Sequence, residues 1–248
     1  MNERVCLITG ASRGIGAATA RELAARGHRV VVNHRDSAAA AEAVAQDVVA
    51  AGGAAMVMQG DVTDPGDVTR MVEAVVGHWG RLDMMVHNAM TPFPVASFAD
   101  LSWEQLGAKL EQEMRAAYLL THAVLPGMID RGHGRLVYLS TGLSRRPRAG
   151  MIALGVAKAA LDSFVRYVAA EVAPHGITAN VVAPSTVEDT AVSERLSDEL
   201  KAELAATTPM RRLARPEDVA RTVAHFAGDD ASFTTGSWAP VNGGLIMP

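Results

Sequence analysis

Seven short apolar runs, separated by longer Ala-rich stretches, constrain this chain more than any other feature. The runs are Val5–Thr9, Val30–Asn33, Ala55–Gln59, Asp83–His87, Gly134–Ser140, Thr178–Ala183 and Ser237–Val241. Helical stretches fall at Ile15–Ala25, Ser37–Ala51, Pro65–Trp79, Leu101–Ile129, Ile152–Ala173, Ser193–Ala206 and Pro216–Ala227. Strands and helices of these lengths in alternation make βαβ units, and nearly continuous apolar strands belong to a sheet covered on both faces. The pattern predicts an α/β fold: a single domain over residues 1–248 with a doubly wound, seven-stranded parallel sheet.

A chain of 248 residues can bury a core that needs no covalent staple. Its one cysteine, Cys6, excludes a disulfide framework and a cysteine zinc site, and reads as a small core residue. No metal site is expected. The net charge of -4 argues against nucleic acid or an anionic membrane as the main partner. No apolar run approaches the roughly 18 residues of a membrane span. The first strand begins within a few residues of Met1, which leaves no room for a signal peptide, so a cytoplasmic location is expected.

Gly10-Ala11-Ser12-Arg13-Gly14-Ile15-Gly16 lies between the first strand and the first helix. Glycines there permit a tight turn and close approach of a phosphate to the backbone, and the helix start supplies free N–H groups. That context points to a nucleotide site.

The spacing of Gly10, Gly14 and Gly16 resembles the short-chain dehydrogenase/reductase family, with its Rossmann fold, and the likeness runs along nearly the whole chain. Asp61-Val62 resembles the pair that follows the third strand beside adenine. His87-Asn88-Ala89-Met90 looks like the family's Asn-Asn-Ala-Gly, and Gly155-Val156-Ala157-Lys158 looks like its active-site helix. Asn180 to Pro184 and Gly236 to Gly244 match later strands. The resemblance therefore implies a cofactor site built from Gly10, Ser12, Arg13, Gly14, Ile15, Gly16, Asp61, Val62, Asn88, Ala89, Lys158 and Pro184. NAD-selective members place an acid directly after the second strand; here Asn33-His34-Arg35 precedes Asp36. With Arg13 and Arg35 near the place of a 2′-phosphate, and His34 beside them, NADP(H) is the expected cofactor.

The catalytic slots depart from the family pattern. Members reduce carbonyls with Ser, Tyr and Lys, supported by an Asn on the fourth helix. Lys158 is present, but four residues before it stands Leu154. The third type of enoyl-acyl-carrier-protein reductase, which this chain resembles most in pattern, has its Tyr seven residues before Lys; here that is Met151. Thr141 fills the Ser slot, with Ser140 adjacent, and Glu113 fills the Asn slot. Met90 stands where glycine is usual and Ser185 where glycine follows Pro184. Tyr138 should face away from Thr141 by strand parity, while Tyr118 and Tyr167 suit the core or a subunit interface.

Three functions stay open. The first is an NADPH-dependent reductase of a hydrophobic enoyl, keto or polyketide-like substrate, free or carrier-bound, in a pocket formed by Met90, Met151, Leu154 and Ser185. The second is a non-redox dehydratase, isomerase or cyclase with Glu113 as acid or base beside Thr141 and Lys158. The third is a silent subunit. The family pairs its fourth helix and active-site helix across subunits, so the resemblance also implies a homo-oligomer, a tetramer or dimer.

Overall fold

The computed structural model describes residues 3–247. Its strands are β1 (Val5–Ile8), β2 (Arg29–His34), β3 (Ala55–Gln59), β4 (Met84–His87), β5 (Gly134–Leu139), β6 (Ile177–Pro184) and β7 (Trp238–Val241). Between them run α1 (Gly14–Ala25), α2 (Ala38–Ala50), α3 (Pro65–Trp79), α4 (Trp103–Arg131), α5 (Ile152–Val172), α6 (Asp198–Thr207) and α7 (Pro216–Ala227). The strands join in the order β3-β2-β1-β4-β5-β6-β7, all parallel. That order is the doubly wound Rossmann arrangement, and it reverses direction between β1 and β4, where a crevice opens beyond the strand ends.

Strand alternation divides the core in two. Cys6, Ile8, Val30, Val32 and Val86 pack on one sheet face against α1, α2 and α7. Leu7, Val31, Met85, Leu136 and Tyr138 pack on the other against α3, α4 and α5. Burial pushes the Cys6 thiol well above its usual pKa, consistent with its place in the core.

Helix ends follow local chemistry. Asp64 accepts from the Asp67 N–H ahead of Pro65. Ser102 and Gln105 form a capping box at the start of α4, which continues past Pro126 to a left-handed Gly132 at φ 62°. One expected helix is broken. Ser193–Ala206 divides into a single 3₁₀ turn at Ser193–Arg195 and α6, because Ser197 caps the second piece by accepting from Leu200 N–H. Among the described residues, no helix is long and apolar enough to cross a membrane.

Candidate active site

A cavity of about 630 Å³ opens at the carboxyl ends of the strands. Its first half is the glycine turn, which is built to stay empty of side chains. A Cβ on Gly16 would lie 2.5 Å from the Gly10 carbonyl oxygen, and one on Gly10 would lie 2.9 Å from Ala89 Cα. Gly10 and Gly14 also hold left-handed φ values of 61° and 53°. Asn88 Nδ2 donates to the Thr9 and Gly10 carbonyls at 2.9 and 3.0 Å, and Asn33 Oδ1 accepts from Gly10 N–H at 3.2 Å. The turn is therefore fixed from two strands.

No side chain caps α1 and no acid occupies its first turn. Its leading N–H groups and positive dipole end are open to a phosphate. This cradle fits a dinucleotide. Gly10, Ser12, Arg13, Gly14, Ile15, Arg35, Asp61, Val62, Asn88, Ala89 and Pro184 all line the cavity. Gly16 does not; it lets α1 lie close against the turn. His34 is a correction to the sequence reading. Asn33 on β2 and Arg35 in the bend that follows it line the cavity, while His34 at the end of β2 is buried and does not. Arg35 Nε donates to Asp36 at 2.7 Å.

The inner wall carries a buried charge cluster. Lys158 Nζ donates to Glu113 Oε1 at 2.7 Å and to the Leu139 carbonyl at 2.6 Å. An ammonium has three donors, so one N–H of Lys158 has no acceptor among the described residues, and Lys158 lines the cavity. Glu113 stands behind it, 1% exposed and outside the cavity wall. Its Oε2 accepts from Lys109 Nζ at 2.7 Å. Lys109, also 1% exposed, gives its remaining donors to Thr91 Oγ1 at 2.8 Å and the Thr91 carbonyl at 3.2 Å.

Burial alone would raise the Glu113 pKa, but the Lys158 ammonium, with Lys109, holds it well below the usual carboxylate range. Burial lowers the Lys109 pKa against the opposing pull of Glu113. His87 Nε2 lies 3.7 Å from Glu113, too far for a hydrogen bond. Burial keeps its imidazole below the ordinary histidine pKa. Glu113 thus holds one lysine amine on each of its two oxygens. A carboxyl pinned in this way has no proton to give at neutral pH.

Thr141 also lines the cavity. Its Oγ1 accepts from Leu143 N–H at 3.3 Å, leaving the O–H free to donate. Ser140 Oγ has no partner among the described residues. Met90, Met151, Leu154 and Ser185 complete this half of the wall. No tyrosine lines it. Tyr138 is fully buried and shares a 2.6 Å hydrogen bond with Thr121, while Tyr118 and Tyr167 are exposed on α4 and α5 rather than in the core. Among the described residues, no group of three or more His, Cys, Asp or Glu is placed to hold a metal ion.

Sequence reasoning missed Lys109, whose signal was its place one helical turn before Glu113. It also missed Asn33 as a brace for the turn, and Arg146 and Arg148, which line the outer cavity.

Known proteins resemble this chain from end to end. The model of a family described as enoyl-(acyl carrier protein) reductase matches residues 10–246. The 3-oxoacyl-[acyl-carrier-protein] reductase FabG of Escherichia coli (strain K12) is 34% identical over 246 residues, covering 98% of each chain. Acetoacetyl-CoA reductase of Allochromatium vinosum is 34% identical over 245 residues, covering 98% of this chain and 99% of the relative. The crystal structure of YwfH, described as an NADPH-dependent reductase involved in bacilysin biosynthesis, superposes with a TM-score of 0.93 at 25% identity over the full length of both chains. A glycine turn braced from β2 and β4, a lysine on α5 and end-to-end likeness to these proteins lead to one conclusion: the chain belongs to the short-chain dehydrogenase/reductase family.

Proposed function

We propose that the protein is an NADP(H)-dependent reductase with an atypical active site, acting on a conjugated acyl acceptor. One observation carries this reading. An uncommitted Lys158 N–H and the Thr141 hydroxyl face a cavity whose two expected phenol positions are Leu154 and Met151. Two hydrogen-bond donors with no phenol beside them in the cavity wall suit an oxyanion that is held rather than protonated on oxygen.

When bound, the cofactor supplies a hydride. The residues of this chain do the rest. In an α,β-unsaturated carbonyl compound, a hydride added at the β-carbon sends the double-bond electrons to oxygen as an enolate. Lys158 and Thr141 hold that oxygen, and the α-carbon then takes a proton from water. A simple ketone would give an alkoxide, which needs an acid at once, and Leu154 offers none. The names of the relatives, which act on acyl-carrier-protein and CoA thioesters, support an acyl thioester as substrate, carrier-bound or free. The apolar wall of Met90, Met151 and Leu154 suits its chain. The non-redox reading loses its base, because Glu113 lies outside the cavity wall under two ammoniums.

The test follows NADPH oxidation with crotonyl and acetoacetyl thioesters. Faster turnover of the crotonyl compound is expected. Tight NADPH binding without oxidation by either compound would overturn the reading in favour of a silent subunit.

Arg13 and Arg35 at the adenosine end support NADP(H) over NAD(H). Arg35→Asp is expected to weaken NADPH binding by about 1–3 kcal/mol, the scale of a charge-assisted contact, with NADH affinity little changed. Fluorescence titration measures both. Equal affinities for the two cofactors in the unaltered protein would refute the assignment. Exposed Tyr118, Val156 and Tyr167 on α4 and α5 support self-association through these helices.

A further inference from the structure

The outer cavity has a one-sided charge that the hydride chemistry does not use. Between β5 and α5 the chain reads Ser144-Arg145-Arg146-Pro147-Arg148, and the three arginines are disposed differently. The Arg145 guanidinium lies 3.8 Å from the ring centre of Trp238. Arg146 Nη1 donates to the Leu245 carbonyl at 3.1 Å, and its other N–H groups have no acceptor among the described residues. Arg148 has no side-chain hydrogen bond or ion pair among the described residues, yet both Arg146 and Arg148 line the cavity.

The loop that carries them is ordered by its own backbone. Arg146 N–H donates to the Gly142 carbonyl at 2.9 Å, and the Arg148 carbonyl accepts from Met151 N–H at 3.2 Å. The two guanidiniums are therefore presented from fixed points rather than on a free tail. Among the described residues, the only carboxylates lining the cavity are Asp36 and Asp61. Asp36 is paired with Arg35 at 2.7 Å, and Asp61 Oδ1 accepts from the Thr63 N–H and hydroxyl, both at the cradle end. Guanidiniums at the cavity mouth, with open donors and no counter-ion among the described residues, form a fork for carboxylate or phosphate oxygens.

We infer that the substrate carries an anionic group, a carboxylate or a phosphate, which Arg148 binds together with Arg146 at the cavity mouth. The inference rests on the reductase reading for the identity of the cavity and sharpens its substrate class. The phosphate would belong to the arm of a carrier or CoA thioester, and the carboxylate to a free acid.

Two matched pairs distinguish these sources. One is crotonyl-CoA against neutral crotonyl-N-acetylcysteamine. The other is 2-oxo-4-phenylbut-3-enoate, a conjugated enone with a carboxylate, against its methyl ester. With saturating NADPH, Arg148→Glu is expected to raise KM for the charged member of one pair by about tenfold or more, a single charge-assisted contact. KM for its neutral partner should move less than about twofold by the same reasoning. The responding pair identifies the anion. Equal effects on charged and neutral members, or none on either, would overturn the inference. If no compound is reduced, quenching of NADPH fluorescence reads acceptor binding directly. Charge-selective binding lost in Arg148→Glu would then preserve the anion site while the reductase reading falls. Charge-blind binding would remove the site whatever happens to turnover.

Discussion

Glu113→Gln is expected to cost the protein both stability and turnover. The substitution keeps size and polarity but leaves the ammoniums of Lys109 and Lys158 facing one another, with side chains 0% and 6% exposed and no counter-charge. Removing one partner of a buried ion pair costs about 3–5 kcal/mol, because the survivor keeps its desolvation penalty. The cheapest relief is loss of a proton from one lysine. If Lys158 gives it up, the oxyanion loses a charged donor, and turnover should fall at least about tenfold. The sign of the pH effect is then fixed. Two like charges facing one another disfavour the doubly protonated state, so residual activity in the variant should climb as pH is lowered. A merely structural defect would not produce that slope. Lys109→Met in the Glu113→Gln background should recover about 2 kcal/mol of the lost stability, because one ammonium then remains where two repelled. Denaturant unfolding and kcat against pH measure these effects. A single variant with full turnover and unchanged stability would show that the cluster is dispensable.

The second large effect is a gain. Leu154→Tyr is expected to raise reduction of an acetoacetyl thioester by about 10²-fold, the scale of general acid catalysis. Leu154 lies one helical turn before Lys158 on α5, so the two side chains share a face, and both line the cavity. A phenol there would stand beside an ammonium that lowers its pKa, and it could protonate an alkoxide that the present wall leaves charged. Leu154→Phe fills similar space without the hydroxyl. If Phe and Tyr variants reduce the ketone equally, the gain would be one of shape, and the missing-acid reading would fail.

How far the site could be read from the chain depends on how local each feature is. The glycine turn, the strand that feeds it and the helix it opens occupy adjacent residues, so residues 5–25 state their own structure. The caps at Asp64 and Ser102 are equally local. The split at Ser197 is also written in a few residues, but apolar periodicity across 193–206 outweighs it in a reading by pattern. His34 failed for a simpler reason: it alternates with Asn33, which lines the cavity, so strand parity turns it to the other face. Lys109 was hidden differently. Its spacing from Glu113 is visible, but its burial depends on Thr91, 18 residues away on the loop after β4. Arg146 and Arg148 sit in a connection without a period, where the folded loop alone decides which arginine lines the cavity.

The pairing of Lys109 with Glu113 also has an evolutionary consequence. A lineage that holds both residues cannot easily lose either one. Dropping the carboxylate strands two cations, and dropping Lys109 removes the brace that shares Glu113 with Lys158. Each single step passes through a weakened protein, although a neutral pair could fold well, because buried ion pairs are often replaceable only as a unit. The cluster thus behaves as a ratchet. Once acquired, it narrows the mutational routes back to an uncharged active-site floor, and substrate range is freer to drift at the cavity mouth than at Lys158.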